Sequence, residues 1–135
     1  VILAVQDVLD IRDDSIFKAA SGLIGGIGLM DNVCGVLLGA ILVLGLKTGR
    51  GREEINDMDK LARSAEPVRK LYEWFEKEFK SVICREIRTR LEGGVFYDLQ
   101  DPRQYELAME SGHLENCSDI TGKTAAKTVE MLLDI

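Results

Sequence analysis

From Val33 to Leu46 the chain runs for 14 residues without one polar side chain. A helix that is apolar on every side has no face to give to water, so it belongs inside a core. The run is too short for a bilayer, which takes ~20 apolar residues. Extending it backwards brings in Asp31 and Asn32, and an aspartate at mid-membrane costs roughly 2.5–3.5 kcal/mol. The reading is a central core helix at about 33–46, with no membrane span. Gly35 and Gly39 lie four apart on it and smooth one face for close approach. The approach to the run carries Gly22, Gly25, Gly26 and Gly28, a backbone-permissive stretch. Asp31 and Asn32 then cap a helix from about Val33. That places Cys34 in the first turn, where free N–H groups and the positive dipole end favour a thiolate.

Other segments read as helix too. Val1–Leu9 resembles a helix end, and Asp13 or Asp14 caps a short helix through Ile16, Phe17 and Ala20. A long helix is predicted from about Glu53 to Lys80, with a seam of Leu61, Ala65, Val68, Tyr72, Phe75, Phe79 and Val82. Pro67 predicts a kink or break near Ser64–Glu66, and Glu73 is placed to pair with Lys77. Ser81 caps a short helix carrying Cys84, Ile87 and Leu91, ended by Gly93 and Gly94. Pro102 starts another, Arg103–Glu110, closed by Gly112. The last helix is predicted from about Ser118 to Leu133. At 135 residues, 46% of them hydrophobic and 30% charged, the chain fits one ordinary domain. The expectation is an all-α, single-domain bundle over residues 1–135, with about five to seven helices around the central one.

A net charge of -6 argues against nucleic acid as a partner. Arg85, Arg88 and Arg90 are diluted by Glu86 and Glu92 and read as a solvated helix face. The glycines of 22–28 follow no strand and lack the Lys-Ser/Thr ending of a phosphate loop. No serine triad and no His-Glu-x-x-His occurs. The chain has 3 cysteines, none at Cys-x-x-Cys spacing, which excludes a zinc ribbon, a thioredoxin motif and c-type haem attachment. So few cysteines in a chain of this length do not make a secreted disulfide scaffold, and a cytoplasmic location is expected. Each cysteine follows a capping residue: Asn32 before Cys34, Ser81 before Cys84, Asn116 before Cys117. Three thiols at helix starts suggest one gathered site. His113, the single histidine, stands in a glycine-bounded turn and reads as a surface residue.

Ala-Ser-Gly-Leu-Ile-Gly-Gly-Ile-Gly (Ala20–Gly28) followed by Cys-Gly-Val-Leu-Leu-Gly-Ala (Cys34–Ala40) resembles the signature of the C_GCAxxG_C_C family of redox-active proteins. Phe75–Ile87, Tyr97–Pro102 and Asn116–Ala126 continue the resemblance in order along nearly the whole chain. It implies a prokaryotic, α-helical domain with four characteristic cysteines. Cys34, Cys84 and Cys117 match three, and the fourth is expected in the first helix, ahead of Val1. The helical domain of split-Soret cytochromes is similar, but their haem-attachment motif is missing here. Three functions follow as expectations. The first is thiol redox chemistry with an unidentified redox partner, Cys34 as nucleophile and Cys84 or Cys117 as resolving thiol. The second is a metal site, zinc or an iron–sulfur cluster, on the same three cysteines plus the fourth. The third is an interaction module, such as a homodimer packed through the Gly35/Gly39 face or the aromatic seam. Whether the chain is an enzyme is left open by all three.

Overall fold

The apolar run forms α3 (Gly35–Thr48), and its Leu37, Ala40, Val43 and Leu44 are wholly buried. The computed structural model describes all residues, Val1–Ile135. Around α3 pack α1 (Ile2–Leu9), α4 (Met58–Phe79) and α7 (His113–Leu133). The remaining helices are α2 (Asp14–Ala19), α5 (Cys84–Leu91) and α6 (Pro102–Glu110), with 3₁₀ turns at Ala20–Leu23 and Arg52–Glu54. There is no strand, only one antiparallel bridge between Val33 and Ile83. The chain is therefore an all-α bundle, and none of its helices is long and apolar enough to cross a membrane.

Local chemistry explains most helix ends. The Asp13 carboxylate accepts from the Ser15 and Ile16 amides and starts α2. Asp101 does the same for Arg103 and Gln104, with Pro102 at the first position of α6. Several expected boundaries move. The central helix begins at Gly35 rather than Val33, because Val33 is drawn into the bridge and Cys34 itself becomes the cap. The long helix expected from Glu53 divides into the turn at Arg52–Glu54 and α4, which Asp57 caps. The last helix starts at His113, not Ser118, because Gly112 at φ 86 turns the chain directly into it.

Pro67 neither kinks α4 into two helices nor breaks it, since α4 runs unbroken from Met58 to Phe79. Packing along α3 and α7 holds the helix through the missing N–H. Its buried stripe is Leu71, Phe75 and Phe79, while Leu61 and Tyr72 of the expected seam are each 40% exposed. Phe75 and Phe79 meet edge to face at 4.6 Å, with Trp74 edge-on to Phe79 at 5.8 Å. Glu73 and Lys77 make no ion pair, and the pair four apart on this helix is Glu66 with Lys70, at 2.8 Å.

The glycines before α3 are used for conformation and for contact. Gly25, Gly26, Ile27, Gly28 and Leu29 all have φ between 56 and 69. They form a left-handed turn, closed by Gly28 N–H to the Gly22 carbonyl (2.9 Å) and Asn32 N–H to the Gly26 carbonyl (3.0 Å). Ile27 and Leu29 each give up roughly 1–2 kcal/mol in this conformation. A Cβ on Gly35 would stand 2.2 Å from the Leu23 carbonyl oxygen, and one on Gly39 would touch Ile2 at 3.6 Å. The smooth Gly35/Gly39 face is thus filled by the chain's own 3₁₀ turn and α1, and is not free for a second copy.

Candidate cysteine site

Cys34 caps α3, Cys84 is the first residue of α5, and Cys117 lies in the second turn of α7. Two of the three predicted helix starts therefore hold. Asn116 is inside α7, so it caps nothing for Cys117, and its amide donates instead to the Leu91 carbonyl. Ser81 does not occupy the cap position of α5, which is Ile83, but its hydroxyl accepts the Ile83 N–H at 3.0 Å and donates to the Glu86 carboxylate.

The bridge between Val33 and Ile83 brings the first two cysteines together. Cys34 N–H donates to the Val82 carbonyl at 2.8 Å, and Cys84 N–H donates to the Asn32 carbonyl at 2.7 Å. Each cysteine is one residue beyond the bridged pair, so side-chain alternation turns both to the same face. Such diagonal neighbours stand about 7–8 Å apart, slightly wide of the about 4.4–6.8 Å between Cα atoms in a disulfide. The left-handed turn passes directly over them, for a Cβ on Gly26 would lie 2.7 Å from the Cys84 Cβ. All three cysteines are free thiols, Cys34 and Cys84 buried and Cys117 half-buried.

Burial reverses the electrostatic expectation for helix-start thiols. Desolvation pushes the Cys34 thiol up, and the nearby Val36 and Leu37 amides offset this only in part. Burial first, then the neighbouring Cys34, pushes Cys84 up to about 12, with Asp31 and Cys117 adding and Arg88 opposing. Burial, Cys34 and Glu92 push Cys117 up to about 11. No three His, Cys, Asp or Glu side chains stand close enough together to share one metal ion, so these thiols do not form a ready cage for zinc or a cluster. Two surface cavities, of about 500 and 560 Å³, lie elsewhere and touch no cysteine.

These shifts make stability depend on pH. An unfolded cysteine titrates near 9.0, whereas folded Cys84 holds its proton to about 12. Between those values the folded state binds more protons, so the contribution is whole below pH 9 and is lost as pH rises towards 12. Urea unfolding of the reduced protein from pH 7 to 10.5 is expected to show a midpoint that falls above pH 9. Cys84→Ala should flatten that fall, and an equal slope in both proteins would contradict the assignment.

A charged chain beside the thiols escaped the sequence reading. Arg88 is 3% exposed rather than solvated, and Glu92 is equally buried. Arg88 Nη1 donates to Asp31 Oδ1 at 2.5 Å, Nη2 to the Tyr97 carbonyl at 2.8 Å, and Nε lies 3.5 Å from Glu92 Oε1. Glu92 Oε1 in turn meets His113 Nδ1 at 2.6 Å. The His113 side chain is 13% exposed, so it is largely covered, at the first position of α7 rather than in a surface turn. Its ring nitrogens are 3.9 and 4.0 Å from Cys117 Sγ. The available signal was spacing: His113 and Cys117 are four apart, as are Arg88 and Glu92, and each pair shares a helix face. Arg85 stacks on the Phe96 ring at 3.9 Å, and Arg90 donates to the Phe79 carbonyl at 2.6 Å.

Fold and site together define an all-α domain with its thiols drawn into the interior. The chain belongs to the C_GCAxxG_C_C family, described as "Putative redox-active protein (C_GCAxxG_C_C)", which matches residues 1–131. Neither a curated protein nor a solved structure matches it.

Proposed function

We propose that the protein interconverts a dithiol and a disulfide at Cys34 and Cys84, with Cys117 as the third thiol of the same site. The observation that carries this is the antiparallel bridge at Val33 and Ile83, which holds two segments far apart in sequence with both cysteines on one face. Family membership supports redox chemistry in general terms. In the oxidising direction the two thiols lose two protons and two electrons and form one S–S bond. A disulfide co-substrate takes both and leaves as two thiols. The diagonal spacing asks for a shift of about 1 Å at the bridge to reach disulfide geometry. The left-handed turn over Cys84 is the strained element nearest to that shift.

Equilibration with excess oxidised glutathione, followed by peptide mapping without reduction, tests the pair. A crosslinked Cys34–Cys84 peptide is expected as the main product, lost in Cys34→Ser and in Cys84→Ser. Folded, fully equilibrated protein without that crosslink would overturn the proposal.

A further inference from the structure

We infer that Cys117, His113 and Glu92 form a nucleophile–base–positioning triad, and that Cys117 is the thiol that meets an incoming disulfide. This rests on the thiol–disulfide reading above and adds to it the point of entry and the proton acceptor. Cys117 is the least buried of the three cysteines. The Glu92 carboxylate accepts only a proton-bearing nitrogen, so its 2.6 Å contact assigns the hydrogen of His113 to Nδ1. Nε2 is left as the free base, 4.0 Å from Cys117 Sγ, while the sulfur stands 3.9 Å from Nδ1, so the ring must turn its Nε2 towards the thiol for transfer. That separation is long for proton transfer, and catalytic hydrogen bonds commonly tighten only when substrate is bound.

Glu92 is held for this purpose and not by accident of the surface. It is 3% exposed, and its Oε2 is buried with no hydrogen-bond partner. An unpaired carboxylate oxygen in the interior is costly, and a positive imidazolium beside it lowers that cost. Glu92 therefore stabilises the charge that His113 gains, while Arg88, itself paired with Asp31, faces Glu92 from the other side. Burial first, then the neighbouring Cys34 and this same carboxylate, keep the resting Cys117 as a thiol. The site does not store a thiolate; it makes one during attack.

The step balances. Cys117 Sγ attacks one sulfur of the incoming disulfide as its proton passes to His113 Nε2. The S–S bond breaks, the departing thiolate takes that proton and leaves as a thiol, and Cys117 is left in a mixed disulfide. His113 is then neutral again.

Alkylation by iodoacetamide reads this base separately from disulfide formation. In the native protein at pH 7, peptide-resolved mass spectrometry is expected to show Cys117 labelled before Cys34 and Cys84. His113→Gln offers Glu92 an amide donor but no base, and should slow Cys117 labelling roughly a hundredfold. In His113→Ala, added imidazole should restore part of the rate, which a structural role for the ring would not explain. Wild-type rates in either folded variant, or no rescue beyond an equal-pH buffer control, would overturn the triad. The native chain gives a variant-free check: Cys117 should label no slower than free cysteine, and a hundredfold slower rate would also overturn it. Loss of the Cys34–Cys84 crosslink with His113-dependent labelling intact would refute the proposed pair alone. The reverse result would refute the triad alone.

Discussion

Replacing Arg88 by methionine is expected to destabilise the protein by about 3–5 kcal/mol, because it strands two carboxylates in the interior. Asp31 and Glu92 have side chains 12% and 1% exposed, and the guanidinium is the cation that both face. Arg88 also donates to the Tyr97 carbonyl, so the segment at Asp31, the end of α5 and the loop at Tyr97 meet on one side chain. Lysine keeps the charge but is a point donor without the planar fork, and cannot serve all three at once. Arg88→Lys should therefore fall between methionine and wild type. Urea unfolding at pH 7 measures both, and a methionine variant within about 1 kcal/mol of wild type would remove Arg88 from its central place. Removing Arg88 also frees Asp31, whose carbonyl accepts the Arg85 amide at 3.1 Å. The left-handed turn is thus tied to α5 by a side-chain contact and a backbone contact, and limited proteolysis at residues 25–31 should accelerate in the methionine variant.

The fold class was legible because it rests on periodicity. An apolar run with no polar face has one stable place in a helical bundle, its interior, and α3 occupies it. Short helices with acidic caps, at Asp13 and Asp101, were legible for the same local reason. What local pattern does not carry is competition between neighbours. Pro67 reads as a break from its missing N–H, but the packing of α4 on α3 and α7 outweighs that loss. Val33 looked like the first residue of a helix because nothing local announces its bridge to Ile83, fifty positions along.

The cysteines were legible as a set, whereas their electrostatics were not. Placement near a helix start favours the thiolate, but the size of the opposing burial term depends on what covers each thiol. For Cys84 that cover includes a left-handed turn which sequence showed only as permissive glycine. Arg88, Glu92 and His113 read as surface groups in the sequence because charged residues seldom go inside unless paired. Their pairing becomes visible only when α5 and the start of α7 are brought together.

Gly26 offers the most direct test of how that turn governs the thiols. Gly26→Ala and Gly28→Ala demand nearly the same backbone, φ +69 and +60, so both carry the left-handed penalty. At Gly28 an added Cβ meets open space, and the loss should stay near 1–2 kcal/mol. At Gly26 the methyl would stand 2.6 Å from the Asn32 nitrogen, 2.8 Å from its carbonyl oxygen and 2.7 Å from Cys84 Cβ. Two of those atoms are backbone and cannot swing aside, so overpacking adds to the conformational term and the total should reach about 2–5 kcal/mol. Relief requires the turn to lift from α5, and that admits water to Cys84. The alanine at Gly26 should then speed alkylation of Cys84 at neutral pH, because a rehydrated thiol returns towards its ordinary titration range. The alanine at Gly28 should not. Equal stability losses in the two variants, or unchanged Cys84 labelling in Gly26→Ala, would mean that the left-handed turn covers the thiols without controlling them.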